Sequence, residues 1–164
     1  MDRLPWIDFT GQSVEDLLAL EGTHRIDSLA FAFESGIDQR SERVGADALT
    51  VEERTVLAVA ALHREVNNGG YDQFFVNAPW HAVEIMDALG RIGCPQTAAI
   101  TREAIAALEV SELTADTIGE AIYEDDRARS SILNACDERF YEYPECLSAR
   151  LFEYIKTNRH GISF

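Results

Sequence analysis

The sequence predicts an all-α protein: a single compact domain over residues 1–164, with about seven to eight helices around a central apolar helix. Apolar residues recur at helical spacing, no strand-length run alternates apolar and polar residues, and Pro and Gly fall between the periodic segments. A chain of 164 residues can bury about 70% of its unfolded surface, so one core suffices without a disulfide or metal. We expect residues 1–12 and 159–164 to be peripheral termini.

The N-terminal part predicts two helices. Ser13 is a suitable N-cap for a short helix over residues 14–20. Thr23 opens a longer helix, which Gly36 is expected to interrupt before Val44. Its core face is predicted from residues at helical spacing, namely Ile26, Leu29, Ala30 and Phe33.

The central helix begins at the capping-box pattern of residues 50–53, Thr-Val-Glu-Glu. The following run, Val56–Leu62, is apolar on every side, which predicts burial all round. This helix leads directly into a corner at Asn67–Gly70. A short helix after the corner is expected to carry Phe74 and Phe75 inward.

Prolines and glycines mark the remaining joints. Asn77 is expected to cap a helix with Pro79 in its first turn, and this helix ends at residues 90–93. The next helix runs from Pro95 to about Leu108. A loop over residues 109–113 leads to a long acidic helix ending near Cys136. The last helix is expected to start at Pro144 and to dock through Leu147, Leu151 and Ile155.

The most unusual stretch is Glu65–Asn77, which combines carboxamides, paired glycines and adjacent aromatic residues. Glycines after a helical run supply the left-handed backbone that ends a helix, and asparagines can bond the freed backbone groups. Carboxamides do not titrate near neutrality, so they suit holding geometry better than transferring protons. We interpret the stretch as a structural corner made by Glu65, Asn67, Asn68, Gly69, Gly70, Gln73, Phe74 and Asn77.

This stretch resembles the DNA-mimic protein family through the pattern Glu-x-x-Asn-Gly-Gly-x-x-Gln-Phe-Phe-x-Asn, with Tyr71 where Phe is more usual. Residues 90–104, 133–141 and Pro144-Glu145 extend the resemblance, which covers roughly residues 20–158. Many family members have no assigned function. The resemblance implies an all-helical cytoplasmic homodimer whose acidic surface occupies the DNA-binding face of a transcription regulator.

Charge narrows the classes of partner. Fourteen basic residues against twenty-nine acidic ones give a net charge of −15, and Lys156 is the only lysine. Direct nucleic acid binding needs clustered Lys and Arg, so this composition disfavours it and favours a basic protein partner. Acidity that serves only solubility or a salt-rich habitat is the alternative. We expect no membrane segment and, from three cysteines without Cys-x-x-Cys spacing, a cytoplasmic protein with reduced core thiols.

The densest charge lies in residues 109–126, which contain seven acidic residues and no basic one. In a helix, residues 112, 116, 120 and 124 project from one face, because neighbours four apart lie above each other. We call Glu112, Asp116, Glu120 and Glu124 the acidic stripe. Together with Asp126, it is the predicted partner-binding surface. Asp125 falls on the apolar side, so the helix is expected either to break there or to pair Asp125 with Arg129.

Enzymatic interpretations are less complete. His63-Arg64-Glu65 supplies half of the zinc deaminase signature, and Glu21-Gly22-Thr23-His24 supplies one half of a di-iron pattern. We therefore expect no catalytic residues, no metal and no cofactor. Two alternatives stay open: an antitoxin or immunity-like inhibitor of a basic nuclease, and a small-ligand-binding protein or enzyme that uses the Glu65–Asn77 corner with Glu65 as base.

Overall fold

Eight α-helices and no β-strand occur within residues 3–164, the part of the chain that the computed structural model describes. This confirms the predicted all-α fold. The helices are α1 Val14–Leu18, α2 Ile26–Val44, α3 Val51–Asn77, α4 Pro79–Ile92, α5 Pro95–Ala106, α6 Ala115–Tyr123, α7 Arg127–Tyr141 and α8 Leu147–Thr157. Two short 3-10 helices lie at Ala46–Ala48 and Arg159–Gly161.

Contacts divide the chain into two compact units. The first extends up to Ala60 and includes Leu147–Phe164; the second is Ala61–Cys146. Helix α3 contributes to both units. Every residue of its predicted apolar run, Val56–Leu62, is at most 5% exposed, which confirms that this is the buried helix. The single domain over residues 1–164 stays a prediction.

Aromatic side chains of α2, α8 and the C-terminal residues pack together in the first unit. The rings of Phe33 and Phe152 lie 6.4 Å apart, and Phe164 packs 5.5 Å from Phe33. A Cβ on Gly36 would lie 2.6 Å from Cδ1 of Phe164. Helix α2 therefore continues through Gly36, and the predicted interruption was wrong because the glycine serves close packing instead of a turn.

Several helix starts match the predicted signals. Ser13 accepts a hydrogen bond from the backbone of Asp16, which confirms the cap of α1. Thr50 and Glu53 exchange the two hydrogen bonds of a capping box. Pro79 and Pro95 each open a helix, and Gly93 ends α4 with φ 74° and ψ 48°.

Other boundaries were predicted wrongly. Helix α2 starts at Ile26 instead of Thr23, and α8 starts at Leu147 instead of Pro144. Within residues 159–164, Ile162 is only 6% exposed; that residues 1–12 and 159–164 are peripheral termini stays a prediction. Cys94 and Cys136 are buried as predicted, whereas Cys146 is exposed. In the described part of the chain, each helix is either too short or too polar to span a bilayer.

Candidate partner-binding surface and the Glu65–Asn77 corner

Helix α3 is broken at the paired glycines. Gly69 has φ −159° and ψ 19°, and Gly70 has φ 76° and ψ −175°. The predicted corner is therefore present. Its conformation differs from the left-handed helix end that was expected, because ψ of Gly70 is nearly extended. A side chain is excluded there: a Cβ on Gly70 would lie 2.7 Å from Cγ of Asp137.

Side chains from α7 satisfy backbone groups at this break. The backbone N–H of Tyr71 donates to Oδ1 of Asp137 at 2.8 Å. The hydroxyl of Tyr141 donates to the backbone carbonyl of Val66 at 2.7 Å. Asp137 and Tyr141 are four residues apart and share one face of α7. The later family-like segment thus completes the corner, which the sequence did not reveal.

The two asparagines behave differently. Asn67 donates from Nδ2 to the carbonyl of His63 at 2.6 Å and accepts from the Tyr143 hydroxyl at 2.6 Å. Asn68 is exposed, and its side chain forms no hydrogen bond within residues 3–164. Both asparagine side chains were predicted to form hydrogen bonds with the backbone. The structure confirms this for Asn67, but the prediction was wrong for Asn68.

Glu65 is the hub of the corner. Its Oε2 accepts from Nδ2 of Asn77 at 2.9 Å and from Nε2 of Gln73 at 2.8 Å, while Oε1 accepts from Arg64 at 3.1 Å. Asn77 was predicted to be the N-cap of α4, but the N-cap residue is Ala78. The amide of Asn77 holds Glu65 instead.

The environment of Glu65 does not favour a general base. Burial raises its pKa, but the hydrogen bonds from Asn77, Gln73 and Arg64 outweigh this, so the pKa lies below its ordinary value. Burial also lowers the pKa of nearby His81 to about 4, with a smaller contribution from Arg64. At neutral pH Glu65 is ionised and His81 is neutral, and neither has a pKa near 7.

Replacing Glu65 by Gln is expected to lower the free energy of unfolding by about 1–3 kcal/mol, because a buried amide cannot accept all three donors. Chemical denaturation measures this change. Glu42→Gln, on an exposed part of α2, is the matched control and should stay within about 0.5 kcal/mol of wild type. A Glu65→Gln variant of unchanged stability that lost a ligand-induced melting shift would instead support the ligand-binding alternative.

The predicted long acidic helix is two helices. Helix α6 starts after the N-cap Thr114 and ends at Tyr123, where Glu124 takes φ −75° and ψ 133°. Asp126 then caps α7 by accepting from the backbone N–H of Arg129 at 3.0 Å. The chain breaks at the place considered in the sequence, and the ion pair of Arg129 is with Asp126 instead of Asp125.

The acidic stripe is exposed along its whole length. Asp116 and Glu120 lie one turn apart on α6, whereas Glu112 precedes the helix and Glu124 is its C-cap. The regular part of the stripe is therefore shorter than predicted. None of the four carboxylates forms an ion pair with a basic residue of the described chain.

Two other acids are less available to a partner. Asp126 uses its carboxylate as the α7 cap, and its side chain is 41% exposed. Glu145 accepts from the backbone N–H groups of Gln96 and Thr97, both at 2.9 Å, at the start of α5. These contacts stabilise helix N-termini, so the two carboxylates have structural roles.

Negative charge is concentrated in the second unit. Residues 61–146 contain sixteen acidic and six basic residues, which is two-thirds of the net charge of the chain. The stripe lies in this unit. Acidic residues outnumber basic ones in this unit, so its net charge adds to the attraction of the stripe for a basic partner.

A sequence model of the DMP19-like protein family matches residues 47–158, more than half of the chain. This chain belongs to the DMP19-like protein family. DMP19 is a family of DNA-mimic proteins. The match contains both the Glu65–Asn77 corner and the acidic stripe of this DMP19-like chain. No curated protein matches it.

Tyr123 is a surface residue of the DMP19-like chain that the sequence interpretation did not select. Its side chain is 82% exposed at the end of α6, between Glu120 and Glu124 in sequence. The available signal was its position directly after Ile122, which puts it off the apolar face of the helix. An exposed aromatic ring beside carboxylates can pack against the guanidinium group of a partner.

Proposed function

We propose that this chain is a non-enzymatic binding protein that occupies the DNA-binding surface of a basic protein, such as a transcription regulator. The observation that carries the proposal is the exposed acidic stripe in a segment with no basic residue from 109 to 126. Membership of a DNA-mimic family supports the same function. The proposed partner contacts are Glu112, Asp116, Glu120 and Glu124, with Asp126 at the edge.

The spacing of the stripe supports an imitation of the DNA backbone. Residues four apart in a helix rise about 6 Å along its axis, the same order as successive phosphates along one strand. Asp116 and Glu120 have this relation on α6. Arginines of a DNA-binding groove can form charge-assisted hydrogen bonds with carboxylates as they do with phosphates.

The proposal requires neither a cofactor nor a metal, and it assigns the Glu65–Asn77 corner an architectural role. The hydrogen bonds that fill the carboxylate of Glu65 support that assignment. The homodimer implied by the resemblance remains part of the proposal. A basic nuclease would be attracted by the same charges, so identification of the partner separates an inhibitor from a regulator mimic.

The experiment is affinity capture from native cell extract on the immobilised chain, followed by elution with duplex DNA. We expect DNA to elute a basic DNA-binding protein, because both ligands compete for one groove. Buffer matched in ionic strength but without DNA is the control. Equal elution by duplex DNA and by the control buffer would contradict the proposal. If the eluted protein is a nuclease, the chain is an inhibitor of that nuclease and not a mimic that acts on a transcription regulator.

A further inference from the structure

Arg129 is buried among acidic residues at the junction of α6 and α7. Its side chain is 7% exposed. Nη2 donates to the backbone carbonyl of Glu124, the C-cap of α6, and Nη1 lies 4.0 Å from Oδ2 of Asp126, the N-cap of α7. One guanidinium therefore contacts the end of one helix and the start of the next.

The contact with Glu124 is favourable for a local reason. Carbonyl groups at a helix C-terminus carry partial negative charge and lack partners within the helix. A planar guanidinium has several donors in fixed directions, so it can hold the carbonyl and the cap together. The two helices are separated by Glu124, Asp125 and Asp126 alone, so at this short junction the Arg129 guanidinium reaches both helices, beside the cap that Asp126 supplies to α7.

We infer that Arg129 is a positioning residue for the acidic stripe: it fixes the α6–α7 junction, so that Glu124 and the carboxylates of α6 face a partner in one arrangement. The inference rests on the proposed function. The positive charge of the Arg129 guanidinium itself repels a basic partner. Its contribution comes from preorganisation, which lowers the conformational entropy lost on binding.

The two possible roles of Arg129 predict opposite effects on affinity when its positive charge is removed. A role through charge alone predicts tighter binding to a basic partner, and a positioning role predicts weaker binding. Arg127 lies two residues earlier, is exposed and forms no ion pair within residues 3–164. Arg127→Gln and Arg129→Gln change the net charge equally. If charge alone mattered, both variants would bind the basic partner more tightly than wild type. We expect Arg127→Gln to bind more tightly and Arg129→Gln to bind more weakly.

A second variant keeps the charge. Arg129→Lys retains one positive charge but loses the planar fork, so we expect affinity to fall by about 3- to 10-fold. Affinity for the partner captured above is measured over a range of salt concentrations. The salt slope of the Lys variant should equal that of wild type, because the same carboxylates still meet the partner. Circular dichroism checks the fold of each variant.

The outcomes separate this inference from the proposed function. Arg129→Gln binding as tightly as Arg127→Gln would overturn the positioning role while leaving the function intact. If Arg129→Gln does not fold, the test uses Arg129→Lys instead. An Arg129→Lys variant that binds the partner with wild-type affinity would overturn the inference. A wild-type chain that binds no basic DNA-binding protein overturns the proposed function first and the positioning role with it.

Discussion

Replacing Glu53 by alanine is expected to lower the free energy of unfolding by about 3–5 kcal/mol, because it leaves the partly buried Arg40 and two backbone N–H groups without the buried carboxylate that accepts from them. Glu53 is 0% exposed. Its Oε2 accepts from Arg40 and from the backbone of Thr50, both at 2.9 Å, and Oε1 accepts from the backbone of Ser163 at 3.0 Å. One carboxylate thus joins α2, the start of α3 and residues 159–164.

Chemical denaturation of Glu53→Ala measures this loss. Glu42→Ala, an exposed change in α2, is the control and should alter stability by no more than about 0.5 kcal/mol. Glu53→Gln keeps the volume but places an amide donor against donors, so its stability should lie between wild type and Glu53→Ala. A Glu53→Ala protein as stable as the control would show that the carboxylate does not hold these segments together.

Local chemistry predicted much of the fold. Ser13, Thr50 and the helix-opening prolines act through groups within a few residues, so their caps and first turns could be inferred from neighbouring sequence. The burial of Val56–Leu62 follows from an apolar pattern that offers no face to water. Signals of this kind do not depend on tertiary contacts.

Errors arose where tertiary contacts decide. Gly36 does not end α2, because Phe164 packs against the position that a Cβ would fill. Asn77 is a reasonable cap by type, but Glu65, twelve residues earlier, binds its amide. No local pattern indicates which partner an asparagine will take when two are possible.

The acidic composition of the candidate surface could be predicted from the sequence, but the arrangement of its helices could be predicted only in part. Residues 109–126 are acidic without interruption by a basic residue, and the sequence shows this directly. The break between α6 and α7 is less visible, because Asp126 was interpreted as a surface charge although aspartate is also a strong N-cap. An acidic side chain that we propose as a partner contact in one position thus caps a helix in another.

Neutralising the acidic stripe is expected to have the largest effect on binding. Each exposed charge pair contributes about 0.5–1 kcal/mol, so three lost pairs should weaken affinity by about 10- to 100-fold. The stripe variant is Asp116→Asn, Glu120→Gln and Glu124→Gln. Salt dependence should also become shallower, because fewer ionic contacts are formed.

A matched control changes three exposed acids elsewhere on the chain. Glu42→Gln, Asp47→Asn and Asp87→Asn alter the net charge by the same amount and lie outside residues 109–126. Long-range attraction decreases equally in both triple variants. Only the stripe variant loses contacts with the partner, so we expect the control to bind within about three-fold of wild type.

Competition between the chain and labelled duplex DNA for the captured partner tests the central claim most directly. Wild type and the control should displace the duplex competitively, with no complex containing all three molecules, and the stripe variant should displace it at least about ten-fold less well. Equal displacement by the stripe variant and the control, or binding of the chain without release of DNA, would contradict the claim that these carboxylates occupy the DNA-binding groove.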